Sequence, residues 1–521
     1  MSKFLKGTMI LLAAGLVTRV LGFINRIVIA RFIGEEGVGL YMMAFPTMIL
    51  VVTITQLGLP VAISKNIAEA EARGDTAKIK KILVVSLAAT ISLSVIFTPA
   101  LILLAPLLSE TLFTDKRTLW PLMAIAPVVP IIAISSVIRG YFQGRQNMKP
   151  AAYSQVIEQV VRISLIALMT KAFLPYGIEY AAAGAMLAAV VGELSSLIYL
   201  LTTFKLKKKF RVRKQFFKYV YSGKSTFNEL MTVALPTTGS RMIGSVAWFF
   251  EPIVVAQSLA LAGVAAITAT KQYGALTGFA MPLLMLPSFI TYSLSTSLVP
   301  AISEANSKNN MSLIEYRLQQ ALRFAFITGG LAVVVLYVLS DQLMEVMYGS
   351  SSGSQFIKLM APFFLFYYYQ GPLQATLQAL NLARAAMINS LIGAIVKTAV
   401  IFLLASQSAF GINGVAMGIL VGTVLVTLLH FATVLKTISF TFYVWDYVKT
   451  FIAMGFSGGI GFWMLNHMLP QSMNTSIRVI IISAAIFVIY FLLLLIFGLI
   501  KKAELIRIPV VGRLLSKLAF K

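Results

Sequence analysis

Residues 479–500 read VIIISAAIFVIYFLLLLIFGLI, 22 consecutive positions without a charge. At about 1.5 Å of rise per residue, such a helix is roughly 33 Å long, enough to cross the hydrocarbon core of a bilayer. Comparable runs recur through the 521 residues. They place fourteen candidate spans at 8–31, 39–64, 82–106, 118–139, 151–170, 180–203, 230–258, 270–302, 320–340, 354–379, 386–406, 412–435, 450–468 and 478–500. Transmembrane barrel strands would alternate over short segments, a pattern not seen here. The expected fold class is an all-α polytopic membrane protein with fourteen transmembrane helices.

Composition agrees. Apolar residues make up 59% of the chain and charged residues 12%, about half the charged share usual for soluble domains. Mean hydropathy is +0.88. A soluble enzyme, a secreted domain and a disordered chain are all excluded, because none could cover its surface with so few charges. There is no cysteine, which removes disulfides, thiolate metal sites and cysteine nucleophiles. The basic-then-apolar N-terminus, residues 1–16, resembles a signal peptide, but no small-residue cleavage site follows. It reads as an uncleaved first span.

The 43 Lys+Arg outnumber the 18 Asp+Glu, for a net charge of +25. Their placement explains the excess without nucleic acid. Loops on the N-terminal side hold 31 basic residues, the opposite loops six, and the spans six. Cytoplasmic loops collect Lys and Arg, so both termini are expected in the cytoplasm of a bacterial cell membrane protein. The longest basic loop, 205–224, suits the anionic inner leaflet. Its Gly223-Lys224-Ser225 mimics the tail of a phosphate-binding loop, but Lys218 stands where that motif needs glycine and no strand precedes it, so nucleotide binding is rejected.

Arg19-Val-Leu-Gly22 in the first span recurs as Arg241-Met-Ile-Gly244 in the seventh. Pro60-Val-Ala-Ile-Ser64 recurs as Pro300-Ala-Ile-Ser303. Gln143, Lys149 and Arg162 recur as Gln378, Arg384 and Lys397, each 235 residues on, and Tyr176-Gly-Ile178 recurs as Phe410-Gly-Ile412. Four matches in one order define two pseudo-symmetric six-helix lobes plus two extra C-terminal helices. The expected division is an N-terminal lobe (1–204), a basic cytoplasmic inter-lobe loop (205–229), a C-terminal lobe (230–436), and the additional helices with a basic tail (437–521). Two lobes of equal orientation are the geometry of rocking transporters with a site between the lobes.

Charges inside the spans nominate that site, since each costs about 2.5–3.5 kcal/mol at mid-bilayer. The cations are Arg19, Arg26, Arg162, Arg241, Lys271 and Lys397; the acids are Glu158, Glu193 and Glu251. Arg19 and Arg26, seven apart, share a helix face, and Arg241 is the repeat mate of Arg19. Arginine stays ionised when desolvated and grips phosphate oxygens with a planar fork. Arg19, Arg26 and Arg241, with Lys271, are therefore the candidate substrate-binding residues for a phosphate or diphosphate. Lys271 could equally snorkel at the outer mouth of its span. Glu158 and Arg162, four apart, suit an ion pair. Lys397 either meets Glu193 or lines the cavity, and Glu251 orients an arginine or couples an ion. Enzyme chemistry has little support: all four Asp lie in loops or at span ends, and His430 and His467 lack ligand spacing. No cofactor and no metal are expected.

The runs Phe4-Leu-Lys-Gly-Thr8, Thr18-Arg-Val-Leu-Gly-Phe23, Ala30-Arg-Phe-Ile-Gly34, Gly37-Val-Gly-Leu-Tyr-Met-Met43, Arg139-Gly-Tyr-Phe-Gln-Gly144, Ile157-Glu-Gln-Val-Val-Arg162 and Trp248-Phe-Phe-Glu-Pro-Ile253 are similar to those of bacterial polysaccharide and lipid-linked oligosaccharide exporters, above all their sporulation branch. The resemblance covers nearly the whole chain. It implies a fourteen-helix flippase of the multidrug/oligosaccharidyl-lipid/polysaccharide exporter superfamily, kin to flippases of lipid II, the undecaprenyl-diphosphate-linked peptidoglycan precursor. In a spore-former it implies spore cortex peptidoglycan synthesis, in the membranes around the developing spore. It further implies first-helix arginines lining a cationic cavity and a groove at the last two helices for the polyprenyl tail. Arg19 matches the first of those arginines and Arg26 falls one residue from the second. The family's eighth-helix arginine is replaced by Pro282, with Lys271 the nearest cation. The implied partners are a lipid-linked diphosphate oligosaccharide, membrane lipids and cell-wall synthesis proteins. Export of another polysaccharide or teichoic-acid precursor, and a membrane scaffold, are the competing readings.

Overall fold

The computed structural model describes residues 3–207, 216–470 and 472–500, with side chains from Ala13 onward except Ser240. Residues 208–215 of the basic inter-lobe loop and the whole basic tail after residue 500 therefore lie outside the described residues. Among those described there are twenty α-helices and no strand. The first ten are α1 (Lys3–Gln56), α2 (Leu59–Ala72), α3 (Thr76–Leu107), α4 (Leu119–Ile125), α5 (Val128–Gly144), α6 (Lys149–Phe173), α7 (Ile178–Lys207), α8 (Phe216–Tyr221), α9 (Lys224–Leu261) and α10 (Ala266–Gly274). There follow α11 (Met281–Met285), α12 (Ser288–Ser307), α13 (Met311–Val338), α14 (Ser340–Tyr348), α15 (Ser354–Met360), α16 (Phe364–Ala379), α17 (Ala383–Ala405), α18 (Gly411–Leu435), α19 (Val444–Trp463) and α20 (Thr475–Ile496).

Two compact units result: Met1–Gly278 with Ala405–Ile412, and Phe279–Leu404 with Asn413–Lys521. In the first, α2, α3, α5, α7 and α9 bury Leu59, Ile63, Ile67, Leu83, Val137, Tyr141, Phe142, Leu200 and Leu230 in one core. Gly140 and Gly144 of α5 lie so close to the Pro60 and Ser64 carbonyls that a methyl group would not fit. In the second unit, α12, α13, α16 and α18 bury Leu298, Ile302, Ile314, Leu318, Leu373, Leu377 and Val434. There Tyr490 of α20 donates to the Ile327 carbonyl of α13 at 2.9 Å. Outward faces are apolar and uncovered. Val95 and Leu103 of α3 are 68% and 79% exposed, a condition suited to lipid rather than water.

Helix ends repeat between the halves. Asp75 caps α3 through the Lys78 N–H at 2.8 Å, and Asn310, 235 positions on, caps α13 through the Leu313 N–H at 3.0 Å. The left-handed residues Gly74 and Gln146 recur at the same interval as Asn309 and Asn381.

Among the described residues ten helical segments are long and apolar enough to cross a membrane, or eleven with the bent pair Ala266–Met285 and Ser288–Ser307. The distance from the fourteen expected lies in three places. The first two expected spans are one continuous element, α1, α6 carries Glu158, Arg162 and Lys171, and the expected tenth span is broken into α15 and α16.

α1 is not straight. Gly34 has φ 61° and ψ −169°, a conformation that essentially only glycine tolerates. On a straight helix Arg26 and Tyr41 would be about 22 Å apart. The chain kinks at Gly34 into two limbs, and Arg26 on the first lies within electrostatic reach of Tyr41 on the second.

Candidate functional site

The two limbs of α1 meet at the Gly34 kink. The first carries Arg19, exposed, and Arg26, half-buried. On the second, Tyr41 is buried and stacks on Phe45 with ring centroids 5.6 Å apart. Phe45 meets Trp248 of α9 edge-on at 5.7 Å. Arg241, exposed, lies seven residues before Trp248 and so on the same side of α9. Lower on this seam, Gly58 sits against the Ala234 carbonyl and the Thr237 hydroxyl. Arg26 and Arg241 have no ion pair among the described residues. Glu251 is buried on α9, close enough to Tyr273 of α10 to act on it electrostatically.

A second group of charges lies where α5, α6 and α7 converge. Arg139 of α5 donates to Glu193 at 2.9 Å and to Ser196 at 2.9 Å, both on α7, and its Nε donates to Ser154 of α6 at 3.3 Å. Glu158 pairs with Arg162, the expected partner four residues on. A methyl on Gly192 of α7 would lie 2.8 Å from the Glu158 carbonyl and 3.1 Å from the Arg162 Cβ. That small residue lets α6 and α7 bring both pairs together. Two arginines and two glutamates thus balance, with Arg26 and Tyr41 at their edge. In the second unit Gly422 of α18 packs 2.7 Å from the Lys397 Cβ by the same measure. The repeat thus keeps the crossing, while glycine at 393 replaces Glu158.

Sequence reading missed Arg139, which it counted among the cytoplasmic loop cations. The available signal was its position at the end of an apolar run, followed by glycine and two aromatics.

The third group lies beside the Gly34 turn. Arg117 pairs with Glu36 of α1 and with Asp115 at 2.9 Å. Asp115 accepts from the Thr270 hydroxyl of α10 at 2.7 Å. Burial pushes the Asp115 carboxyl up, but hydrogen bonds from Arg117 and Thr270 outweigh it and hold the group below its usual range. Gln257 of α9 donates to the Thr111 carbonyl at 2.6 Å. The segment between α3 and α4 therefore straps α1, α9 and α10 together. Lys271 belongs to this group, 4.0 Å from Glu35.

His430 is buried in α18, with Asn389 of α17 at 3.3 Å. Among the described residues no cluster of His, Asp or Glu could hold a metal.

A multi-pass helical membrane protein with two internally similar halves, and charges buried in its bundle, is the class these features define, and its relatives make it a transporter rather than an enzyme. Residues 4–306 match the polysaccharide biosynthesis protein family and residues 253–403 the MatE family, and the chain belongs to the polysaccharide biosynthesis protein family. It is 62% identical over 514 residues to stage V sporulation protein B of Bacillus subtilis (strain 168), covering 99% of each chain. It is 25% identical over 415 residues to lipid II flippase MurJ of the same strain, covering 76% of each. Among solved structures, an inward closed conformation of lipid II flippase MurJ superposes with a TM-score of 0.67 at 16% identity, over 96% of this chain and 100% of that one. An inward-facing multidrug resistance MATE family transporter gives 0.66 at 16% identity, over 81% and 96%. These structures share the fold.

Proposed function

We propose that the chain flips a lipid-linked diphosphate oligosaccharide across the cytoplasmic membrane by alternating access, with lipid II as substrate and spore cortex peptidoglycan synthesis as its setting. Both termini are then cytoplasmic, and the Gly34 turn with its strap is at the outer surface. The observation that carries this reading is a charge imbalance. Each buried acid of the α5–α7 group already has an arginine, whereas Arg26 and Arg241 lack an ion pair among the described residues. A guest that compensates them is polyanionic, and a diphosphate suits two guanidinium forks. Arg19 and Lys271 complete the proposed binding set. Glu158, Arg162, Glu251 and Lys397 line the cavity or couple ions, while Glu193, expected in the same role, is held by Arg139 as a structural partner. The 62% identical sporulation protein and the lipid II flippase relative support the same class of cargo.

Export of another polysaccharide precursor is the second reading, supported by the matched family's description. Purified protein in vesicles loaded with fluorescent lipid II or a teichoic-acid precursor tests both. Transport of lipid II, abolished by Arg241→Ala in a variant that still inserts and folds, is expected. Normal flipping by Arg26→Ala and Arg241→Ala variants would reject the site, and transport of the teichoic-acid precursor alone would select the second reading.

A further inference from the structure

The aromatic chain Tyr41–Phe45–Trp248 plays no part in gripping a diphosphate, yet it links the second limb of α1 to the side of α9 that bears Arg241. Its exposure is graded: Tyr41 is buried, Phe45 half-buried, and Trp248 36% exposed. Tyr41 covers one face of Phe45 by stacking at an interplanar angle of 20°, while Trp248 meets Phe45 at 67°. An edge-on contact leaves the indole with a face that no other ring among the described residues covers. Trp248 is thirteen residues before the end of α9, about 20 Å along the axis. With the strap at the outer surface, as proposed above, Trp248 lies nine residues, about 13 Å along the axis, below Gln257 of α9, which the strap contacts, and so below the interfacial aromatic belt. It also shares its side of the helix with Arg241, and a side bearing an arginine is not the one a helix presents to lipid.

We infer that Trp248, backed by Phe45 and Tyr41, is a stacking platform for the first sugars of a diphosphate-linked glycan. This rests on the function proposed above. The C–H face of a pyranose ring carries partial positive charge and the face of an aromatic ring partial negative charge, so the two attract as they exclude water. The indole N–H adds a donor for a sugar hydroxyl. Arg241 and Trp248 are two helical turns apart, about 10.5 Å. An arginine gripping a diphosphate bridges most of that distance, which brings the sugar bonded to the phosphate against the indole.

Trp248 is one of four tryptophans. Replacing Trp120, Trp445 and Trp463 by Phe leaves it as the sole indole reporter in full-length protein in nanodiscs. Titration with lipid II should change its emission, while undecaprenyl diphosphate, which has no sugar, should leave the emission unchanged. Trp248→Leu should weaken lipid II binding at least tenfold and undecaprenyl diphosphate binding less than twofold, and Trp248→Tyr should retain most lipid II affinity. Retained undecaprenyl diphosphate binding certifies that the Leu variant is folded. Equal loss for both lipids, or quenching of Trp248 by brominated acyl chains, would overturn the platform while leaving the flippase reading intact. Failure of the unmodified protein to bind either lipid would remove both.

Discussion

Gly39 of α1 and Gly274 of α10 meet backbone to backbone. A methyl on Gly39 would lie 2.0 Å from the Thr270 carbonyl, and one on Gly274 would lie 2.0 Å from the Glu35 carbonyl and 2.6 Å from the Gly39 nitrogen. Small residues allow such crossings within membranes, where close packing takes the place of the hydrophobic effect. Because the obstacles are backbone atoms, no side-chain rotation can make room. Gly274→Ala should destabilise this conformation by about 3 kcal/mol, the upper end for overpacking, and lower the melting temperature in detergent. Gly239→Ala, at a position with nothing within 4 Å, is the control and should not lower it. Equal melting temperatures for the Gly274 variant and the parent would refute the crossing.

The strap beside this crossing should hold across the physiological pH range. Asp115 is ionised in the fold and its carboxyl is held below the ordinary 3.8. A depressed carboxylate contributes stability that is fully present above its unfolded value and is lost as pH falls through the folded one. Hydrogen exchange in residues 108–118 should therefore stay constant between pH 5 and 8 after correction for the intrinsic rate. Asp115→Asn should accelerate it at neutral pH, since the amide keeps the shape but not the charge that Arg117 needs. A protection profile that falls between pH 7 and 5 would contradict this assignment.

The repeat was legible in the sequence because its marks are local. The residues that cap helices or turn left-handed, such as Asp75 and Asn310, recur at the interval that relates Arg162 to Lys397. The Glu158–Arg162 pair was legible for the same reason, as both residues lie on one helix. What joins distant segments left no local mark. Arg139 and Glu193 are 54 positions apart, Asp115 and Thr270 155. Residues near loops read as solvated in a linear scan, which places Arg139 and Arg117 among the loop charges. Their partners become neighbours only once glycines at 192, 39 and 274 allow the helices to approach. The strap also accounts for α9 and α10 falling in the first compact unit, although their sequence places them at the start of the second repeat.

Arg139 and Glu193 should behave as a structural pair, distinct from the arginines assigned to substrate. The Glu193 side chain is 5% exposed and that of Arg139 19%. Arg139→Leu alone leaves a buried carboxylate without its charge partner and should cost about 3–5 kcal/mol. Arg139→Leu combined with Glu193→Leu should recover much of that loss, because an apolar pair of similar volume replaces a buried ion pair at little cost. Thermal unfolding of the two single variants and the double variant in one detergent gives the coupling. Additive losses would mean that the two residues do not act as a pair.

Arg26 and Arg241 should instead reveal themselves in voltage dependence. If the emptied site carries their charge across the membrane on its return, each elementary charge moved through 100 mV contributes roughly 2.3 kcal/mol. A potential that is negative inside then draws the unloaded cationic site back towards the cytoplasm. In vesicles with a potassium diffusion potential, flipping should slow as the potential is dissipated. Arg241→Gln should make the rate less steeply dependent on voltage. Arg241→Lys should keep the steepness but weaken binding, since lysine retains the charge and loses the planar fork. The two variants thus separate charge from grip. A rate that ignores the potential, or equal steepness in the Gln and Lys variants, would show that Arg241 does not move through the field, and would confine its role to a fixed surface of α9.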